Sequence, residues 1–375
     1  MFFIIGIFIA VFLSLLLLVK KNKSRADKIL FFWLIFISFT QILRYFAFNE
    51  YFYKYPHWLG VELALPVLHG VLLYFYVIEI TGNTIQKKGV MFLHFIPIVL
   101  LILLTIPFYQ LTGIEKIKVY KGNVEGFEWY LIIQTIIVAV SGFAYSIWSL
   151  IIIIRHQTRI KDKFSNTDKK ELQWLKYLSI GNGLIYVLSI FFKGDIIYIA
   201  VVILVLFIGF FGINQLNIFN STIALEKTLE QEPETTNNKL EVKEVVKPKV
   251  TTEKYEKSGL NEEMASQIYT KLNALVKETA IYKNEELTLV ELAKQLKAHP
   301  NHLSQVINEM EGKNFYNYIN SLRIKEFIKI ASLPENKKYT MISLAYDCGF
   351  STKSTFNKHF KLNTGKTPTD FFNLN

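Results

Sequence analysis

The sequence predicts an all-α protein in two parts: a seven-helix transmembrane bundle, then a cytoplasmic domain with two helix-turn-helix units joined by a long helix. Three observations carry that prediction. Of the 375 residues 51% are hydrophobic, yet the long apolar runs lie almost wholly before Asn214. The remainder is polar, with apolar residues recurring at helical spacing. Within it a short helix, a turn and a second helix occur twice.

A helix needs about 20 mostly apolar residues to cross a bilayer. Seven stretches qualify: Phe2 to Val19, Ile29 to Phe48, Trp58 to Ile80, Val90 to Tyr109, Trp129 to Ile154, Trp174 to Phe192 and Ile196 to Ile213. The first has no basic residue ahead of it and no small-residue cleavage site, so it reads as an uncleaved span rather than a secretory signal. Lys20, Lys21, Lys23, Arg25 and Lys28 follow it, Lys87 and Lys88 separate spans three and four, and Arg155, Arg159, Lys161, Lys163, Lys169 and Lys170 separate spans five and six. The alternate loops hold Lys54, Lys116, Lys118, Lys121 and Lys193. Basic loops stay inside, so the amino terminus is expected outside and the carboxyl terminus in the cytoplasm. The narrowest hairpin is Lys193-Gly194-Asp195, between the last two spans.

Ionisable residues in apolar spans cost a few kcal/mol near the bilayer centre and call for partners or water. Arg44, late in span two, and Glu62, early in span three, are expected at matched depth near the outer face. Two readings stay open for them: a sensing pair in an outward-open pocket rimmed by Tyr55, His57 and Trp58, or a structural ion pair beneath an aromatic belt. Glu79 and His94 fall towards the inner loop. Pro66 and Pro97 are positioned to kink their spans, and Gly181-Asn182-Gly183 to admit a close neighbour.

Residues 214 to 259 read as a polar linker, since Thr235 to Lys257 is too poor in apolar residues to fold alone. About 30 flexible residues reach roughly 30 Å, which keeps the tail near the membrane. Leu216 to Leu229 could instead prolong span seven as a helix.

The tail, 260 to 375, opens with a helix over Leu260 to Tyr282. Thr288 and Glu291 then form a capping box ahead of Leu289, Leu292, Ala293 and Leu296. Pro300 starts a second helix that buries Leu303, Val306, Ile307 and Met310 and turns Asn301, Ser304, Gln305 and Asn308 outward. After Gly312 a long helix runs from Phe315 to Leu333, and Pro334 stops it. The pattern then recurs: Thr340 caps a helix carrying Met341, Leu344, Ala345 and Cys348, Gly349 makes the turn, and Ser351 or Thr352 opens a last helix. Phe356 and Phe360 face its interior, leaving Lys353, Ser354, Asn357, Lys358 and Lys361 outside. Amides, hydroxyls and lysines on a second helix are the groups that read base edges and phosphates in the major groove. Two ordinary helical hairpins with solvated charged faces are the alternative, and any one hairpin alone would fit it; the tandem recurrence favours DNA.

From Leu287 to Phe372 the tail resembles the DNA-binding domain of the AraC/XylS family. Leu292-Ala293, Pro300-Asn301-His302-Leu303-Ser304, Gly312, Phe315, Tyr318, Asn320 and Arg323-Ile324 carry the first half of the likeness. Leu344-Ala345, Cys348-Gly349-Phe350, Phe356, Phe360-Lys361, Gly365 and Thr367-Pro368 carry the second, more specific half. Phe327 departs from the family's usual alanine, and Phe372 from a common closing arginine. The whole chain is similar to a membrane-bound subgroup of that family, which implies the bacterial inner membrane.

The resulting expectation is a membrane-anchored transcription factor that couples a signal at or outside the membrane to sequence-specific DNA binding. Its partners would be double-stranded DNA, membrane lipid and an unidentified signal ligand, with RNA polymerase and a second copy of the chain as further candidates. Net charge of +11 fits anionic lipid or nucleic acid. One alternative is a receptor or transporter-like protein whose tail binds a protein partner; another is release of the tail by proteolysis in the linker. No enzyme, cofactor or metal is expected. Cys348 is the single cysteine, His299 and His302 lack a third ligand, and phosphate-binding glycine loops are missing from the sequence.

Overall fold

The computed structural model describes residues 2–83, 88–121, 128–168, 170–192, 195–212 and 260–373. The proposed linker, 214–259, lies outside the described residues, as does its suggested helical extension. Two compact units emerge. One comprises the described residues up to His156 and from Leu172 to Gly212; the other takes Gln157–Glu171 together with the residues from Leu260 onward.

The first unit is helical along most of its apolar stretches. Its main helices are α1 (Phe2–Val19), α2 (Arg25–Phe48), α3 (Val67–Ile80), α4 (Ile96–Tyr109), α5 (Glu128–Lys163, whose end from Gln157 belongs to the second unit), α6 (Gln173–Phe191) and α7 (Asp195–Phe207). Three of these, α2, α5 and α6, are long and apolar enough to cross a membrane. The number rises to five when two bent pairs are each taken as one span: Pro56–Ala64 with α3, bent by 42°, and α4 with Gly113–Tyr120, bent by 115°. α1 and α7 are shorter apolar helices. Seven uniform spans are therefore not what the described residues present. The third and fourth stretches are broken, because proline withholds an N–H from the helical ladder.

The break at Pro66 shows how an apolar environment is reconciled with freed backbone groups. A carbonyl without a partner is costly away from water. Gln134 of α5 donates its Nε2 to Leu63 O at 2.7 Å, and Tyr186 of α6 adds its hydroxyl, at 2.8 Å, to a Pro66 carbonyl that already accepts from His69 N at 3.2 Å. Tyr186 reaches that carbonyl by lying flat over Gly142, where a Cβ would fall 2.2 Å from the ring. Asn182 donates to Ser146 Oγ at 3.0 Å, and a Cβ on Gly183 would meet Ser146 at 3.2 Å, so α6 does approach α5 closely at this glycine pair. Trp33, Leu34 and Ile37 of α2 pack with Leu73, Tyr76 and Val77 of α3 and Leu175 and Leu178 of α6 in the main core. At the head of α2, Asp27 is buried, closes a capping box with Ser24 and pairs with Lys20 at 2.8 Å.

The second unit contains α8 (Glu262–Thr279), α9 (Leu289–Leu296), α10 (Pro300–Glu311), α11 (Phe315–Ala331), α12 (Met341–Asp347), α13 (Lys353–Thr364) and α14 (Pro368–Asn373). It has two cores. Leu272, Leu292, Leu303, Val306 and Phe315 build the first; Ile324, Leu344, Cys348, Phe356 and Phe360 build the second. α11 supplies side chains to both. The two departures from the family pattern meet in the second core, with the Phe327 and Phe372 rings 6.1 Å apart and Phe327 also 4.6 Å from Phe356.

Candidate nucleic-acid interface

The first helix-turn-helix begins where Thr288 caps α9. Its hydroxyl accepts from Glu291 N at 3.2 Å, and Glu291 Oε2 accepts from Thr288 N at 2.9 Å. Lys297 ends α9 in the left-handed region, at φ 54°. Pro300 then opens α10, and His299 Nδ1 accepts from Asn301 N at 3.3 Å. Leu303, Val306 and Ile307 are buried, whereas Met310, expected inside, is exposed. Asn301 and Asn308 are exposed and Ser304 and Gln305 half-exposed, so all four share the outer face. Two of them carry local bonds: Gln305 Nε2 donates to Glu309 at 3.0 Å, and Asn308 Nδ2 to Ser304 O at 2.9 Å.

The second unit repeats the plan with tighter means. Thr340 caps α12 and accepts from Ser343 N at 3.2 Å. Gly349 makes the turn at φ +94°, and a Cβ there would sit 2.7 Å from Lys283 O, so both conformation and space exclude a side chain. Thr352 caps α13. Phe356 and Phe360 are buried, and Lys353, Ser354, Asn357, Lys358 and Lys361 are exposed. An open groove runs along this face, lined by Lys353, Asn357, Lys358 and Lys361 with Met341 of α12 and Thr369 of α14. α13 carries three lysines and no acid; α10 carries Glu309 and Glu311 and no lysine or arginine.

Between the units lies Arg323 of α11, 1% exposed. Its Nε donates to Tyr282 O at 2.7 Å and its Nη2 to Asn284 O at 2.7 Å. Burial lowers its pKa to about 10, still far above neutrality, so the guanidinium stays charged and is held by carbonyls. A further ring of partners comes from Phe164–Asp168, which nothing in the residue pattern had connected with this region. Ser165 O accepts from Arg323 Nη1 at 3.3 Å and from Asn320 Nδ2 at 3.1 Å, and Ser165 Oγ from Arg323 Nη2 at 3.1 Å. Asp168 takes three hydroxyls at the head of α13: Ser351 and Thr352 each at 2.7 Å, and Thr355 at 2.5 Å. Burial alone would raise the Asp168 pKa, but those hydroxyls and the Lys358 charge hold it below the ordinary value.

Arg44 and Glu62 lie in the first unit. Glu62 Oε1 accepts from the Tyr120 hydroxyl at 2.5 Å, and that hydroxyl accepts from Gly60 N at 2.9 Å. The Arg44 guanidinium lies 4.8 Å from the centre of the Tyr198 ring, and its charge acts on Glu62. Tyr120 was the residue missed here; it sits on Gly113–Tyr120, a short helix of mixed composition beyond the fourth apolar run.

Comparison with curated proteins and with solved structures returns no match. Over residues 292–373, which span α9 from Leu292 through α14, the chain matches the family model described as a helix-turn-helix domain, and that domain is of the AraC type.

Proposed function

We propose that this chain is a membrane-anchored transcription factor of the AraC type. It would lie in the bacterial inner membrane with its amino terminus outside and its DNA-binding unit in the cytoplasm, coupling a signal at or outside the membrane to transcription. The observation that carries the DNA-binding part is the repeated helix-turn-helix with its two solvent-facing second helices, within a region that matches such a domain. Asn301, Ser304, Gln305 and Asn308 would serve one major-groove segment, and Lys353, Ser354, Asn357 and Lys358 the next, with Lys361 on phosphate.

The anchoring part rests on three to five membrane-length apolar segments and on the basic loops between them. Arg44, Glu62 and Tyr120 form the candidate for the sensing site, because a carboxylate bonded to a phenol lies within electrostatic reach of a guanidinium among apolar helices. Reporter fusions test the arrangement. Fusions after Tyr55 and Lys121 should be active only outside the cytoplasm, and those after Lys23, Lys163 and Lys257 only inside. External activity at Lys257 would contradict both topology and function, since DNA is inside.

A further inference from the structure

We propose that Phe164–Asp168 is an internal strap that seats the Asp168 carboxylate where a DNA phosphate must dock, so that the strap and DNA compete for the second helix-turn-helix. The inference rests on the DNA-binding reading above and adds a regulated contact to it.

The strap is built, not incidental. Phe164, Ser165, Asn166 and Thr167 are all buried, although three of the four are polar and the segment lies in a loop. Such burial is tolerated only where the polar groups are bonded. Ser165 N donates to Leu287 O at 3.1 Å, beside an antiparallel bridge between Phe164 and Thr288, the cap of α9. Asn166 Nδ2 faces Glu285 and Glu286 at 3.3 and 3.2 Å, and Lys170 pairs with Glu286 at 2.9 Å. Ser165 meets Arg323 and Asn320 of α11, and Asp168 meets α13. The strap therefore touches both helix-turn-helix units and the helix that joins them.

Its last contact decides what it does. The head of a helix is an anion site, because its free N–H groups and dipole favour negative charge. Helix heads and hydroxyls are also standard contacts to DNA phosphate. Here three hydroxyls already point their protons at one carboxylate, with Lys358 acting on the same charge. A phosphate needs those same donors, and Asp168 in place would repel it. The exposed faces of α10 and α13 are left uncovered, so base reading is not blocked; a backbone contact is. Because the strap follows α5 directly in the chain, a signal that shifts α5 pulls on it through covalent bonds alone.

The test uses the full chain in lipid nanodiscs and duplexes that it selects from a random-sequence pool. Asp168→Asn should bind those duplexes about five- to tenfold more tightly than the parent and steepen the salt dependence by about one unit, as one more phosphate is neutralised. Asn166→Ala, which loosens the strap without touching α13, should also tighten binding. Hydrogen exchange gives the complementary reading: in the parent the Ser165 amide exchanges slowly, and saturating duplex should speed it. Unchanged or weaker binding by both variants, or an exchange rate at Ser165 that DNA does not raise, overturns the strap while leaving DNA binding intact. A parent chain that selects no duplex overturns the DNA-binding reading and this inference together.

Discussion

The two helix-turn-helix units have one plan and opposite chemistry. The first presents amides on a helix whose only charges are Glu309 and Glu311; the second presents Lys353, Lys358 and Lys361 with no acid. The first is capped by Thr288 and by the His299 ring, whereas the head of the second recognition helix holds a carboxylate from elsewhere in the chain. The turns differ too: Lys297 takes the left-handed conformation in the first, whereas in the second a Cβ on Gly349 would strike a backbone carbonyl. The comparison teaches a division of labour. On the proposed DNA-binding reading both units read bases, but salt-sensitive grip, with its control, falls mainly to the second.

The glycines give the largest expected effects. Gly349→Ala adds a steric clash to a positive φ and should destabilise the second core by about 3 kcal/mol, whereas Gly312→Ala bears the conformational term alone, about 1 kcal/mol. Opening free energies from hydrogen exchange in α13 and α10 would compare them. Equal costs would mean that the tight turn at Gly349 is not held against Lys283.

Binding separates the units next. Lys361→Ala should weaken every duplex alike, about fivefold, and flatten the salt slope by about one unit. Gln305→Ala should leave the slope alone and relax preference at one base pair by roughly 1 to 3 kcal/mol. Titrations of matched and mismatched duplexes at several salt concentrations would check both. If Lys361→Ala changed preference and Gln305→Ala changed the slope, the division of labour would be reversed.

Mild acid, near pH 6, should produce the smallest difference. His359 is 1% exposed and packs edge-on against Tyr316 at 4.8 Å, while His299 and His302 of the first unit are exposed and half-exposed. Burial lowers the His359 pKa to about 4. The unfolded chain therefore binds a proton below about pH 6.5 that the folded unit refuses, and stability is lost as pH falls from there towards 4, by at most about 1.4 kcal/mol per pH unit. Exchange in α13 should rise over that window before exchange in α10 does, and His359→Leu should remove the difference.

Much of the architecture was legible because its signals are local. Apolar runs declare themselves by length, and the caps at Thr288, Thr340 and Thr352 declare helix starts by residue type. The breaks in the third and fourth apolar stretches were legible only as prolines: that Gln134 would take up Leu63 O and Tyr186 brace Pro66 O depends on helices far along the chain. The strap was illegible for the same reason. Phe164–Asp168 has no periodicity, its neighbours Lys161, Lys163 and Lys170 counted only as charge, and its partners Asn320 and Arg323 lie more than 150 residues away. The outer faces of α10 and α13 followed from helical period alone, save Met310, which the period placed inside and the fold leaves at the surface.

The central claim is that a membrane-anchored chain reads DNA with two units at once. Its most direct test is selection of duplexes from a random-sequence pool by the full chain in nanodiscs, followed by sequencing. Two conserved elements about one helical turn, roughly 10 base pairs, apart should emerge, with Gln305→Ala degrading one and Asn357→Ala the other. A single element indifferent to one of these substitutions, or a pool that stays random, would contradict the account.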